Sequence, residues 1–250
     1  MKLTNRYLLA SALILLLTTA DAQKQTPPPG GTPRDFQLPE KDLKKLDNGL
    51  TATLVQYGAI PKVNISVIIK TGNIHEGADE VWLADLTADL MREGTTSLDF
   101  KTIAKKVAAM GGEVNVSTGP NQTVISGSVL SEFGPDLIRI LADIAMNPSF
   151  PSSEIDRLRN DLKRQLTVQK GVPQAQALEK FRSILYPDHA YGRLFPTEQM
   201  LDSYTLEKVK GYYERNFGAR RTVVYAVGKF DEAEVDRAIG EAFGKWKGGP

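Results

Sequence analysis

The chain is 250 residues long and carries 31 lysines and arginines against 30 aspartates and glutamates, a formal net charge of +1. With no basic run, that balance excludes a dedicated nucleic-acid binder. The absence of cysteine excludes a disulfide framework, so a secreted domain of this sequence must be held by its core.

The first residues read MKLTNRYLLASALILLLTTADAQ. Lys2 and Arg6 form a positive start, and Tyr7 to Leu17 is an apolar core of about a dozen residues, too short for a comfortable membrane span. Ala20-Asp21-Ala22 is a small-residue cleavage site. Residues 1–22 therefore read as a secretory signal, with an uncleaved membrane anchor as the alternative, and the expected location is a bacterial periplasm or envelope. Residues 23–41 are rich in proline and glycine and read as a linker. About 210 residues remain, enough for one large core. The expected domain spans 42–247, and 248–250 begin an interdomain linker. Three sequons, at Asn64, Asn115 and Asn121, fall in expected strands or a hairpin and read as chance matches.

In chain order, LDNGLTATLVQY predicts two strands around the turn Asp47-Asn48-Gly49. Val63, Ile65, Val67 and Ile69 alternate and predict a strong strand. Residues 80–94 read as a helix stopped at Gly94. Ser97 reads as the N-cap of a second helix that ends at Gly111-Gly112. EVNVSTGPNQTVISGSVL predicts a hairpin. Ser131 reads as the cap of a helix running to about Met146, with Leu137, Ile138, Leu141, Ile144 and Ala145 inward. A long charged helix follows, with Ile155, Leu158, Leu162 and Leu166 as its stripe, and another ends near Leu185. Thr205 caps the next helix, ARRTVVYAVGKF is a strand, and Asp231 opens a last helix to about Trp246. Strands in hairpins and helices in runs predict an α+β fold, with helices layered on one face of a mostly antiparallel sheet.

The helix at 80–94 places Asp85 and Asp89 one turn apart on one face. Two histidines at that spacing could grip zinc, and a glutamate on the same turn could activate a water. Two aspartates instead repel one another. The plain reading is that they face solvent or a wet cavity, with Arg92 beside Asp89. A calcium or magnesium site would need oxygen ligands that the sequence does not indicate. His75 and His189 lack partners at ligand spacing. The paired glycines at 111–112 and 248–249 are turn or linker glycines.

From about Lys44 to Pro250 the chain resembles one domain of the insulinase/pitrilysin family of zinc metallopeptidases, which includes the mitochondrial processing peptidase subunits. LDNGLTATLV resembles that family's opening hairpin, and IKTGNIHEG the strand end before its active-site helix. LADLTADLMREGTTSLDFKTIAKKVAAMGGEVNVSTGPNQTVISGSVL resembles its helix, helix and hairpin nearly without gaps. NPSFPSSEIDRLRNDL, LYPDHAYGR and YTLEKVKGYYERNFGARRTVVYAVGKFD resemble later landmarks in the same order.

Active members of that family carry H-x-x-E-H on the helix. Laid on this chain, the first histidine falls on Asp85, the glutamate on Ala88 and the second histidine on Asp89. The family's third ligand, a glutamate roughly 75 residues further on, falls on Gln165 or Leu166. The resemblance therefore implies a chain with no catalytic residue, no metal ligand and no cofactor of its own. Such a chain would pair with a zinc-bearing paralogous subunit, with the zinc in that partner, and help bind peptide substrates. A second domain of the same protein is a further expected partner. In the family the strand at Glu113, Val114, Asn115 and Val116 lies beside the active-site helix, which makes it the candidate peptide-binding edge; an ordinary strand with a covered edge is the alternative. Two rival functions stay open: an active zinc metalloendopeptidase with atypical ligands, and an envelope scaffold or binding module without a peptidase partner.

Overall fold

The computed structural model describes residues 30–31 and 37–250. The signal reading for residues 1–22 and most of the linker reading lie outside the described residues. The chain divides into two units, Met1–Leu38 and Pro39–Pro250; of the first, Gly30, Gly31, Gln37 and Leu38 are described and none lies in a helix or strand.

In the second unit, strand alternation builds one six-stranded sheet. Its strands are β1 (Asp42–Lys45), β2 (Thr51–Gln56), β3 (Lys62–Ile69), β4 (Glu113–Thr118), β5 (Thr123–Leu130) and β6 (Thr222–Gly228), arranged in the order β1-β2-β6-β3-β5-β4. Five neighbouring pairs hold it together, and only β2 with β6 is parallel. The parallel pair arises because β6 arrives last in the chain and inserts between β2 and β3. Its apolar run VVYAV suits a central position with two paired edges.

The two faces of the sheet differ in chemistry. Ala52, Leu54, Val63, Ile65, Val67, Ile69, Val116, Ile125, Val129, Val224 and Ala226 are buried on the face that the helices cover. The opposite face carries one register row of Leu43, Thr53, Tyr225, Ser66, Ser126 and Asn115. The period of two in strand geometry produces this division directly.

The covering helices are α1 (Leu83–Arg92), α2 (Phe100–Ala109), α3 (Gly134–Met146), α4 (Ile155–Lys170), α5 (Pro173–Leu185), α6 (Glu198–Asp202), α7 (Leu206–Asn216) and α8 (Glu232–Phe243). The expected inward residues of α3 are all buried, as are Leu158, Leu162 and Leu166 of α4. Thr205 and Asp231 cap α7 and α8, accepting from the backbone N–H groups of Lys208 and Glu234. Among the described residues no helix is long and apolar enough to cross a membrane.

Two expected caps are corrected. The cap of α2 is Asp99, whose carboxylate accepts from the N–H of Thr102 at 2.8 Å. Ser97 instead donates to Asp143 at 2.6 Å, tying the connection to α3. Ser131 opens a single 3-10 turn and donates to the carbonyl of Lys229, leaving α3 to begin at Gly134-Pro135 without a side-chain cap. Proline in the first turn lacks the N–H that a cap would satisfy. The short helix α6 was not expected from periodicity, since its five residues are barely more than one turn. At the far end, Gly248 is held by the body of the domain: its carbonyl accepts from the N–H of Arg220 at 2.9 Å.

Candidate functional site

Helix α1 is shorter than its periodicity predicts, beginning at Leu83, and the reason is a cap from outside the helix. Glu76 is 6% exposed. Its carboxylate accepts from the N–H of Ala84 at 2.8 Å and from that of Trp82 at 3.2 Å. These are donors that the first turn of a helix leaves unpaired. Trp82 sits at φ 70°, in the left-handed region, which costs a residue with a side chain roughly 1–2 kcal/mol. The conformation is held by the bond to Glu76 and by the indole N–H, which donates to the carbonyl of Leu194 at 3.1 Å.

The 3-10 turn Asn73–His75 completes the site. The amide of Asn73 donates to Glu76 at 3.0 Å and to Asp85 at 2.7 Å, bridging the two carboxylates. Gly72 allows this close packing, because a Cβ there would lie 2.0 Å from the carbonyl oxygen of Gly119. Buried tyrosines clamp the segment from behind: Tyr212 donates to the carbonyl of Gly72 at 2.9 Å and Tyr204 to that of Val81 at 2.6 Å. Arg193 donates to the carbonyl of Glu76 at 3.0 Å.

Burial raises both acids. It pushes Glu76 up to about 8, against the lowering effect of the Ala84 N–H and with some help from the charge of Asp85. Burial pushes Asp85 up to about 6, opposed by the Asn73 hydrogen bond and assisted by Asp89. Asp89 is raised by burial and pulled back by Arg92, whose guanidinium lies 3.9 Å away. Asp85 and Glu76 line a cavity of about 190 Å³, shared with Asn73, Trp82, Arg182 and Tyr191. Its chemistry is that of a proton-holding, hydrogen-bonding pocket.

The motif positions do not assemble a zinc site. Asp85 and Asp89 lie one turn apart on α1, but Asp85 is engaged by Asn73 and Asp89 by Arg92. Ala88, between them, is 3% exposed and offers only a methyl group. Gln165 is exposed on α4, and Leu166 beside it is buried in the core. Among the described residues no three His, Cys, Asp or Glu side chains are grouped so that they could hold a metal ion. The site therefore does not fit zinc, which takes three or four N, S or O ligands. The imidazole of His75 accepts from the N–H of Gly72 at 3.3 Å, and that of His189 accepts from the N–H of Tyr191 at 3.2 Å. Burial and Arg221 hold His75 below its ordinary value. Each histidine braces its own 3-10 turn.

The strand with Glu113, Val114, Asn115 and Val116 is an edge. β4 pairs only with β5 among the described residues. The N–H of Gly119 donates to the carbonyl of Gln122 at 2.9 Å and closes the hairpin. Alternation from that bond directs the main-chain groups of Ser117, Asn115 and Glu113 toward β5, and those of Val114, Val116 and Thr118 outward. Helix α1 packs against this strand, so the motif turn and the edge are neighbours. The Glu76 cap and the Asn73 bridge were missed in the sequence. The signal was present: an acid six and eight residues ahead of the two N–H groups it accepts from, shortly after the glycine that follows β3.

A family model described as Insulinase (Peptidase family M16) matches residues 53–195, and one described as Peptidase M16 inactive domain matches residues 203–250. An uncharacterized zinc protease of Rickettsia felis is 27% identical over 209 residues, covering 83% of this chain and 51% of that protein. The mitochondrial-processing peptidase subunit beta of Blastocladiella emersonii is 25% identical over 212 residues, covering 84% of this chain and 45% of that protein. The crystal structure of a protease from Helicobacter pylori superposes with a TM-score of 0.78 at 19% identity, covering 84% of this chain and 51% of that one. That likeness concerns the fold alone, and the chain spans about half the length of the relatives it matches. Since the first family model spans more than half of its residues, the chain belongs to the insulinase family of peptidases, family M16.

Proposed function

We propose that this chain is a non-catalytic member of its peptidase family, secreted to the periplasm or envelope, that pairs with a zinc-bearing paralogue and helps hold peptide substrates. One observation carries the reading: at the turn where the family places two imidazoles and a general base, this chain has Asp85, Ala88 and Asp89 inside an otherwise intact domain. A methyl group accepts no proton, so position 88 cannot activate water. Zinc belongs to the partner on this reading, not to this chain. The kinship with a processing peptidase subunit beta supports a paired arrangement.

The peptide-holding part rests on the edge of β4. An extended peptide adds to a sheet edge through main-chain hydrogen bonds, with little sequence preference. The outward groups of Val114, Val116 and Thr118 provide that ladder.

The test is co-expression of the chain with zinc-containing homologues of similar size from its genomic neighbourhood. The expected result is a stable complex that contains zinc and cleaves unstructured peptides, with neither property in this chain alone. Peptide cleavage by the isolated chain would favour the active-enzyme reading. A chain that purifies alone in every combination would favour the scaffold.

A further inference from the structure

A cavity of about 480 Å³ lies between the end of α3, the last turn of α7 and the segment that follows α8. None of its wall belongs to α1 or β4, so it is separate from the motif turn and from the sheet edge. Its volume falls in the range that holds a small organic ligand. The apolar lining is largely aromatic. Tyr213 and Phe217 stack with ring centres 4.8 Å apart. The Tyr213 hydroxyl is already committed, donating to the carbonyl of Ala145 at 2.7 Å. Met146 lines the same cavity, and its thioether suits an aromatic neighbour. Trp246 completes the apolar lining and is 8% exposed. Its indole N–H has no acceptor among the described residues and is not sealed from solvent. A nearly buried indole usually has its N–H paired, as that of Trp82 is, with the carbonyl of Leu194. Trp246 therefore brings a free donor to this region.

The wall is built before any ligand arrives. The carbonyl of Lys247 accepts from the N–H of Ala219 at 3.0 Å, and that of Gly248 from the N–H of Arg220 at 2.9 Å. The side-chain amide of Asn48 donates to the carbonyls of Phe243 at 2.8 Å and Trp246 at 3.1 Å. Gly218 lets the segment lie flush, because a Cβ there would stand 2.6 Å from the Cα of Gly249. A wall fixed in this way needs little ordering on binding, which lowers the cost of association. The charges around it set the sign of the ligand. Lys245 and Lys247 both line the cavity and are exposed, and neither has an ion-pair partner among the described residues. Glu214 is the one carboxylate of the wall, so two ammonium groups stand against one carboxylate.

We propose that this cavity binds a small aromatic carboxylate, its ring packed against Tyr213, Phe217 and Trp246 and its carboxylate met by Lys245 and Lys247, with the indole N–H as a further donor. Burial of the ring supplies most of the affinity. The lysines supply the preference for an anion, and salt weakens that part.

Isothermal titration of the full chain tests this with three probes of one shape: naphthoate, naphthylmethanol and naphthylmethylamine. Naphthoate is expected to bind about fivefold or more tightly than the alcohol, and the amine most weakly. The double variant Lys245→Gln/Lys247→Gln should erase the advantage of naphthoate and leave the alcohol unchanged. Glu214→Gln should tighten naphthoate by removing a repulsion. All three of these residues are exposed, and a thermal melt confirms that the variants fold. Met146→Trp fills the cavity and should remove binding of all three probes. The chain has two tryptophans, so proton NMR places the site. Naphthoate should shift the indole N–H signal that Trp246→Phe removes and leave that of Trp82 unmoved. Undetectable binding of naphthoate, equal affinity for naphthoate and the alcohol, a preference that survives loss of both lysines, or a shift confined to Trp82 would each overturn the proposal.

Discussion

Glu76→Ala is expected to destabilise the fold by on the order of 4 kcal/mol, because two buried N–H groups lose their acceptor at about 1–3 kcal/mol each. The left-handed Trp82 also loses the bond that holds it. A thermal melt should show a fall on the order of 10 °C for a domain of this size. The same carboxyl makes stability depend on pH. Its folded value of about 8 lies above its ordinary 4.5, so its contribution is complete below about 4.5 and is lost as pH climbs through 8. Asp85, raised to about 6, acts in the same direction. His75 is lowered and opposes them through the mid-6 region. Melting temperature should therefore fall from about pH 5.5 to about pH 8.5, and Glu76→Gln should flatten that slope. A melt of Glu76→Ala that matches the parent at both pH values would show that the carboxylate does not hold the start of α1.

Ala88→Glu is expected to cost on the order of 3 kcal/mol, because it places a carboxylate at a position that is 3% exposed on the packed side of α1. α1 packs against β4, α4 and α7, so the new side chain has little room to turn away. The triple variant Asp85→His/Ala88→Glu/Asp89→His should suffer a comparable loss without metal. It should regain part of it when zinc is added, by about 2.7 kcal/mol at a hundredfold excess over its dissociation constant. Denaturant titration with and without zinc measures both. A neutral Ala88→Glu would mean that the turn is open enough to accept a base, and would remove one physical barrier to catalysis at this position.

Much of the fold was legible because the periods are strong. Val63, Ile65, Val67 and Ile69 recur at every second position, with Ile68 the one apolar residue between them, and Leu158, Leu162 and Leu166 step at four residues, so strand and helix announced themselves locally. Thr205 and Asp231 were legible as caps because each stands directly before its helix. Ser97 and Ser131 misled for the same reason: residues of capping type also satisfy other partners. Ser97 is taken by Asp143 and Ser131 by the carbonyl of Lys229. The insertion of β6 between β2 and β3 is a long-range pairing that no local pattern encodes. At the site, the positions Asp85, Ala88 and Asp89 came from aligning the motif. What surrounds them did not, since Asn73, Glu76, Tyr204 and Tyr212 converge only when the loop before α1 folds back over α7.

The most direct test of the central claim is zinc stoichiometry, measured by metal analysis of the purified full chain after equilibration with zinc and exhaustive dialysis. Only trace zinc is expected, unchanged by Asp85→Ala and Asp89→Ala. One tightly held zinc per chain, lost in either variant, would contradict it.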